Sequence, residues 1–331
     1  MKIIVEQNIP FFDGLFTQYA TVERLPSDAI DRAAVADADA LVVRTRTRCD
    51  RSLLQGSAVR FIGTATIGTD HIDADYCRYA GITVVNAPGC NAPAVAQWVM
   101  ASVGGWLRYR GLPAHGRGLA MGIVGVGHVG SIVERWARQL GFNVLVSDPP
   151  NGIHTPLSQL ARECDIITFH TPLTRNGLYP TFHMCDNEIV SLLNGNGGAG
   201  KLIMNAARGG VTDTRALLGF NGDLAIDCWE GEPDLNRDLL ARAFVATPHI
   251  AGYSLEGKRR ASAMIAAELA RYFGVSETVE MPRASITGAE HVTFEKIMSS
   301  YDPATDTLNL KNHPEKFEFL RNHYSHRAEV R

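Results

Sequence analysis

No apolar run in this sequence approaches the ~20 residues that a helix needs to cross a bilayer. The opening segment, Met1-Lys-Ile-Ile-Val-Glu6, reads as a strand and lacks the apolar core of an export signal. Both absences predict a protein of the cytoplasm with no membrane partner. Basic excess is also missing: 32 lysines and arginines against 35 acidic residues leave a net charge of −3, which argues against nucleic acid. The six cysteines (Cys49, Cys77, Cys90, Cys164, Cys185 and Cys228) include no Cys-x-x-Cys pair and show no metal-ligand spacing. They predict buried small side chains in a reducing compartment, and no metal site. What is left is an ordinary composition, 45% hydrophobic and 20% charged, over 331 residues, enough for two domains.

The most informative stretch is Gly122-Ile-Val-Gly125-Val-Gly127-His128-Val129-Gly130. Before it, Leu119–Val124 reads as a buried strand. After it, Ser131–Leu140 reads as a helix with Ile132, Val133, Trp136 and Leu140 on one face, and Asn143–Ser147 as a second strand with Asp148 at its tip. Each part suits a dinucleotide. Gly125 permits the tight turn, Gly127 lets backbone approach a pyrophosphate, and Gly130 lets the helix pack on its strand. The helix N-terminus offers free N–H groups and the positive end of its dipole to the phosphates, and His128 and Val129 of the turn would lie against the cofactor. Asp148 would accept from the adenosine ribose and repel a 2′-phosphate, so the cofactor expected is NAD rather than NADP. The loop begins far into the chain, so a small domain precedes it.

That first stretch alternates strand and helix. Ile3–Val5, Ala40–Val43, Phe61–Ile62 and Ile82–Val85 are β-branched runs, with helices expected at Asp28–Ala38, Ser52–Leu54 and Ala74–Tyr79. Pro88-Gly89 ends the unit and an amphipathic helix, Ala94–Tyr109, leads away. Strands recur at Ile166–Phe169, Lys201–Met204, Leu224–Asp227 and Phe244–Ala246, then a helix at Ser254–Phe273. The fold class is therefore α/β with two doubly wound parallel sheets. Residues 1–91 form one domain, completed by 255–275, and 92–254 form the cofactor domain. Residues 276–331 are polar with scattered apolar positions; such a stretch buries too little to fold alone and is expected to be flexible or docked on a partner subunit.

Parallel sheets bind ligands beyond the carboxyl ends of their strands. Three such ends carry candidates: Arg208 in Asn205-Ala-Ala-Arg-Gly, Glu230 and Glu232 in Asp227-Cys-Trp-Glu-Gly-Glu-Pro, and His249 in Pro248-His-Ile-Ala-Gly252. A guanidinium can grip a carboxylate with two bonds. A histidine titrates in the right range to exchange a hydroxyl proton, and a neighbouring carboxylate would raise its pKa and fix its tautomer. Together with a hydride acceptor, these groups suit oxidation of a 2-hydroxy acid.

These motifs, with His170-Thr171-Pro172-Leu173, make residues 1–275 resemble the D-isomer-specific 2-hydroxyacid dehydrogenase family. The resemblance implies an NAD-dependent enzyme in which a Rossmann domain is inserted into a flavodoxin-like substrate domain. It also implies catalytic roles for Arg208, Glu232 (the acid that directly precedes proline) and His249. Thr171, Ala206, Ala207, Arg208, Asp227 and Gly252 would lie against NAD. Arg44-Thr45-Arg-Thr-Arg48 is a basic, hydroxyl-rich loop that reads as a phosphate site or as a solvated charge run. Within the family, the segments around Thr45, Thr66 and Tyr253 resemble those of a member acting on a phosphorylated 2-hydroxy acid, so these three, with Arg44, are candidate substrate contacts. Asp302–Asn309 and Phe317–Tyr324 resemble part of a C-terminal dimerisation region, which implies a homodimer. A sibling enzyme acting on 3-phosphoglycerate, glycerate or lactate, and an NAD-sensing binding protein, remain open at this level.

Overall fold

Eleven strands pair among the described residues, every pair parallel. The structure is a computed structural model that describes residues 1–281 and 291–330. The chain divides into two units: Met1–Asn91 with Leu255–Ala284, and Ala92–Ser254 with Ser285–Arg331.

The first unit holds β1 (Lys2–Glu6), β2 (Thr21–Leu25), β3 (Ala40–Val43), β4 (Phe61–Thr64) and β5 (Thr83–Val85), in the order β2-β1-β3-β4-β5. Strand β3 is buried throughout, as a central strand covered on both faces must be. The helix Leu255–Phe273 covers one face, and a Cβ at Gly63 of β4 would lie 2.4 Å from Ile265 of that helix. One local expectation fails here, and one strand was not expected. The stretch 28–38 holds only a 3₁₀ turn at Ser27–Ala29 and isolated turns, because its aspartates compete for backbone N–H groups: Asp31 accepts from Ala34 N–H at 2.9 Å. Strand β2 is an edge strand whose Thr-Val-Glu-Arg-Leu sequence carries only a weak alternation.

The second unit holds β6 (Ala120–Val124), β7 (Asn143–Ser147), β8 (Ile166–Phe169), β9 (Leu202–Asn205), β10 (Asp223–Ile226) and β11 (Val245–Ala246), ordered β11-β10-β9-β8-β6-β7. Strand order reverses beside β6, and that switch point is where open α/β sheets bind ligands. The helix after β6 spans His128–Gln139, one turn earlier than its apolar stripe indicates. The helix Ala92–Tyr109 is buried on nearly every side, with Trp98 and Trp106 fully enclosed, so it is not the amphipathic helix expected.

The cover is the C-terminal segment. A Cβ at Gly104 would meet Met298 and Phe294, both on the helix Phe294–Ser300. Val292, Phe294, Ile297, Tyr301, Leu310 and Phe317 are all buried in the cores of this unit. Each such burial stabilises by about 1.5–3 kcal/mol. The segment therefore docks on its own chain. Its few apolar residues recur at helical spacing and meet a helix that is apolar all round, a match invisible in local composition.

Candidate active site

The glycine loop joins β6 to its helix in the geometry that a pyrophosphate needs. Gly125 takes φ +86°, and a Cβ on Gly130 would lie 1.9 Å from the Gly125 carbonyl oxygen. Helix and turn can approach this closely only without side chains. Gly127 is the N-cap of the helix and is exposed, and a Cβ there would meet nothing within 4 Å. The N–H groups of His128 and Val129 open the helix beside it. Asp148, at the end of β7, is buried, and its Oδ2 accepts from Val126 N–H at 2.7 Å and Asn151 Nδ2 at 2.9 Å. Oδ1 is left for a ribose diol, so loop, helix end and acid fit a dinucleotide lacking a 2′-phosphate. Thr171 follows β8 and is half-buried, its hydroxyl 3.9 Å from Met184 Sδ.

Asp227 organises the turn that carries His249. It is 1% exposed. Its Oδ1 accepts from the Thr247 hydroxyl at 2.6 Å and Ile250 N–H at 2.8 Å, and its Oδ2 from Ala251 N–H at 3.0 Å. Trp98 Nε1–H donates to the same Thr247 hydroxyl at 3.0 Å. This carboxylate thus accepts from the Thr247 hydroxyl and from two backbone N–H groups of the 247–251 turn. The turn holds His249 at φ +56°, a conformation that costs a non-glycine residue about 1–3 kcal/mol. His249 N–H donates to the Asp227 carbonyl at 2.9 Å, which anchors the strained residue.

His249 Nδ1 lies 2.8 Å from Glu232 Oε2, and Glu232 Oε1 accepts from Trp229 N–H at 2.7 Å. Glu232 is thereby fixed at both oxygens and fixes the ring in turn. Burial alone would depress the histidine, but Cys228 and the Glu232 carboxylate against the ring outweigh it and hold His249 well above the usual value. Burial would likewise raise Glu232; the bond to His249, the Trp229 N–H and the charge of Arg321 bring it below the usual carboxylate range. Glu230 faces elsewhere and pairs with His183 Nε2 at 2.5 Å, so the two acids of this turn are told apart by geometry.

Arg208 follows β9, next to β10 in the sheet. Its Nη1 donates to its neighbour's carbonyl at Ala207 (2.8 Å), and the side chain is half-buried. A Cβ on Gly209 would lie 2.0 Å from the Trp229 carbonyl oxygen, so the Arg208 loop presses on the turn that carries Glu232. Cys228 Sγ donates to the Ala207 carbonyl at 3.4 Å and ties the same two loops, with Ala206 half-buried beside it. Gly252 and Tyr253 are half-buried on the far side of the His249 turn.

Arg44, Thr45 and Thr66 belong to the first unit. Thr45 is exposed after β3, whereas Arg44 N–H donates to Glu6 Oε2 at 2.9 Å and its Nη1 to the Asn8 carbonyl at 3.4 Å. The Thr66 hydroxyl donates to the Gly68 carbonyl at 2.9 Å and lies 2.7 Å from the Thr64 hydroxyl. All six cysteines are free and buried. Cysteine spacing gives no metal site, yet the fold gathers two sets of potential ligand atoms within 4.8 Å, Cys228–Glu232–His249 and His183–Asp213–Glu230. In both, a histidine–carboxylate pair is already hydrogen-bonded. Among the described residues no helix is long and apolar enough to cross a membrane.

Sequence reasoning missed the C-terminal contribution. Tyr253 has its ring 6.2 Å from that of Tyr324 and 6.1 Å from that of His326. Tyr324 was legible only through a resemblance to a dimerisation region; docking of the segment on its own unit brings these rings to Tyr253.

A parallel sheet with a dinucleotide loop at its switch point, and an Arg/Glu/His set after β9, β10 and β11, defines a nicotinamide-dependent dehydrogenase. The chain belongs to the D-isomer specific 2-hydroxyacid dehydrogenase family, whose catalytic-domain model matches residues 5–280. It is 42% identical to the erythronate-4-phosphate dehydrogenase of Bacteroides thetaiotaomicron, over 99% of this chain and 97% of that one. It is 38% identical to the enzyme of that name from Pseudomonas aeruginosa, over 100% and 93% respectively. The NAD⁺-bound 3-phosphoglycerate dehydrogenase of Entamoeba histolytica superposes with a TM-score of 0.69 at 25% identity, over 86% of this chain and 99% of that one.

Proposed function

We propose that this protein oxidises 4-phospho-D-erythronate to 2-oxo-3-hydroxy-4-phosphobutanoate with NAD, a step toward pyridoxal 5′-phosphate. The observation that carries the reading is likeness to erythronate-4-phosphate dehydrogenases along 99–100% of the chain, well past residue 280 where the family match ends. The glycine loop, His128, Val129, Thr171, Ala206, Ala207 and Gly252 would line the cofactor, with Asp148 on the adenosine ribose and Asp227 acting from behind the turn. When bound, NAD supplies the ring that accepts the hydride from C2.

The chain's own residues handle the rest. Arg208 grips the C1 carboxylate and so sets which face of C2 is presented. Nδ1–H of His249 donates to Glu232, leaving Nε2 to take the proton of the C2 hydroxyl. Loss of that proton and of the C2 hydride converts the alcohol to the ketone. Thr45, Thr66, Arg44 and Tyr253 are the proposed contacts to the rest of the substrate. A homodimer in the cytoplasm belongs to the same reading.

The direct test is NAD reduction assayed with a panel of 2-hydroxy acids. 4-Phosphoerythronate should give the highest kcat/KM; preference for 3-phosphoglycerate, glycerate or lactate would replace the substrate, and turnover of none would point to a binding protein.

The raised pKa of His249 has a kinetic sign. Oxidation needs the neutral ring, so its rate should climb with pH through the raised value. Replacing Glu232 with glutamine removes the anion that stabilises the protonated ring. The limb should then move to lower pH, read from kcat/KM against pH; a superimposable profile would uncouple Glu232 from His249.

A further inference from the structure

We propose that Arg327, in the segment beyond the family's catalytic domain, is a positioning residue: it clamps the turn that carries His249 and so keeps the ring against Glu232. The inference rests on the reading above that His249 takes the proton of the C2 hydroxyl.

Arg327 is 9% exposed, and its guanidinium is spread over the carbonyls that follow His249. Nη1 donates to Ile250 at 3.1 Å and to Tyr253 at 3.4 Å, and Nη2 donates to Ala251. The remaining reach goes to the buried helix Ala92–Tyr109. Nη2 donates to the Ala94 carbonyl at 3.0 Å, and Nε to Gln97 Oε1 at 3.1 Å. A planar fork of five donors can gather several carbonyls at once, which an ammonium cannot do in the same geometry. The tail is held on both sides of this residue. Gln97 Nε2 donates to the Ala328 carbonyl at 3.1 Å, and Ser254 bridges to Arg327 while its hydroxyl donates to Glu329 at 2.6 Å.

The same residues are gripped from the other end. Ile250 and Ala251 give their N–H groups to the Asp227 carboxylate and their carbonyls to Arg327. The two peptide units after His249 are thus clamped between a buried acid and a buried guanidinium. Such a clamp answers a specific need. His249 sits at φ +56°, and a strained residue persists only where its surroundings over-determine it. Asp227 fixes the N–H side of the turn alone. Without the carbonyl side the turn should relax, and the 2.8 Å contact from Nδ1 to Glu232 should loosen. Residues past 280 lie outside the family match, so this half of the clamp is supplied from beyond the catalytic domain.

The test is Arg327→Gln, with Arg327→Lys beside it, each made alone and in a His249→Ala background and assayed on 4-phosphoerythronate. A misplacement of about 1 Å can cost about 10²-fold, so kcat of the glutamine variant should fall by about 10–100-fold. KM and NAD affinity should stay within a few-fold. Lysine, keeping the charge without the fork, should recover part of the rate. Because Arg327 acts through His249, the glutamine substitution should slow the His249→Ala enzyme no further. A readout free of substrate is the titration of the His249 ring, followed by NMR on histidine-labelled protein and identified by its loss in His249→Ala. Glu232 and Cys228 lie within 4.8 Å of the ring and Asp227 behind its turn, and all three are left unaltered. A looser Glu232 contact should therefore move that titration to lower pH. A lower melting temperature with kcat and titration unchanged would overturn the proposal, and so would losses that multiply in the double variant. Should the glutamine variant not fold, the lysine variant carries the test by the same measures. If the wild type does not oxidise 4-phosphoerythronate, or His249→Ala keeps its rate, the reading of the reaction fails; the titration still decides whether Arg327 holds His249.

Discussion

His249→Ala should lower kcat for hydroxy-acid oxidation by about 10²–10⁴-fold, the usual contribution of a positioned acid–base group. NAD affinity should stay within a few-fold, because the glycine loop and Asp148 lie after other strands and share no hydrogen bond with His249. Alanine also tolerates φ +56° no better than histidine, so the turn must still be held by Asp227 and its bonds to Thr247, Ile250 and Ala251. A melting curve close to that of the wild type would show that it is. Steady-state kinetics with cofactor binding measured by fluorescence decides the matter. Turnover near the wild-type rate would remove His249 from proton transfer.

Arg208→Gln should act on the other half of the transition state. A guanidinium gripping a carboxylate makes two charge-assisted bonds, each worth about 1.5–3 kcal/mol. Glutamine keeps one weaker donor, so kcat/KM should fall by about 10²–10³-fold at 1.4 kcal/mol per decade. Unlike the histidine variant, this one should show a large rise in KM. The fold should hold, since the side chain is half-buried and, among the described residues, its one hydrogen bond is to the adjacent Ala207 carbonyl. Substrate titrations check it, and an unchanged KM would place the carboxylate elsewhere.

Arg208, Glu232 and His249 were legible as candidates because each follows a strand end in a motif whose residues have separate jobs. Arg208 precedes two glycines, and the first has no room for a Cβ against the Trp229 carbonyl. Glu232 precedes proline, and His249 follows one. Choosing Glu232 over Glu230 rested on the family pattern, and the structure gives the physical ground: Glu232 reaches His249, and Glu230 reaches His183. Asp227 was legible as important but not in its manner of acting. Sequence puts an acid at the end of β10; only packing turns both of its oxygens toward the 247–251 turn.

The sequence by itself determined the parallel α/β architecture, the dinucleotide loop and its acid, and the chemistry of a 2-hydroxy-acid dehydrogenase. These follow from local rules: β-branched runs that must be covered on both faces, glycines where no Cβ fits, and an acid at a strand tip. Tertiary structure alone decided that the polar C-terminal segment docks on its own chain. It also placed Tyr324 beside Tyr253 and Arg327 behind the turn that carries His249. The physical reason is distance along the chain. Gln97 and Arg327 are 230 residues apart, and the apolar surface that gathers them is a helix with no exposed face to spare. Such a match between distant surfaces leaves no periodicity for a local reading to find.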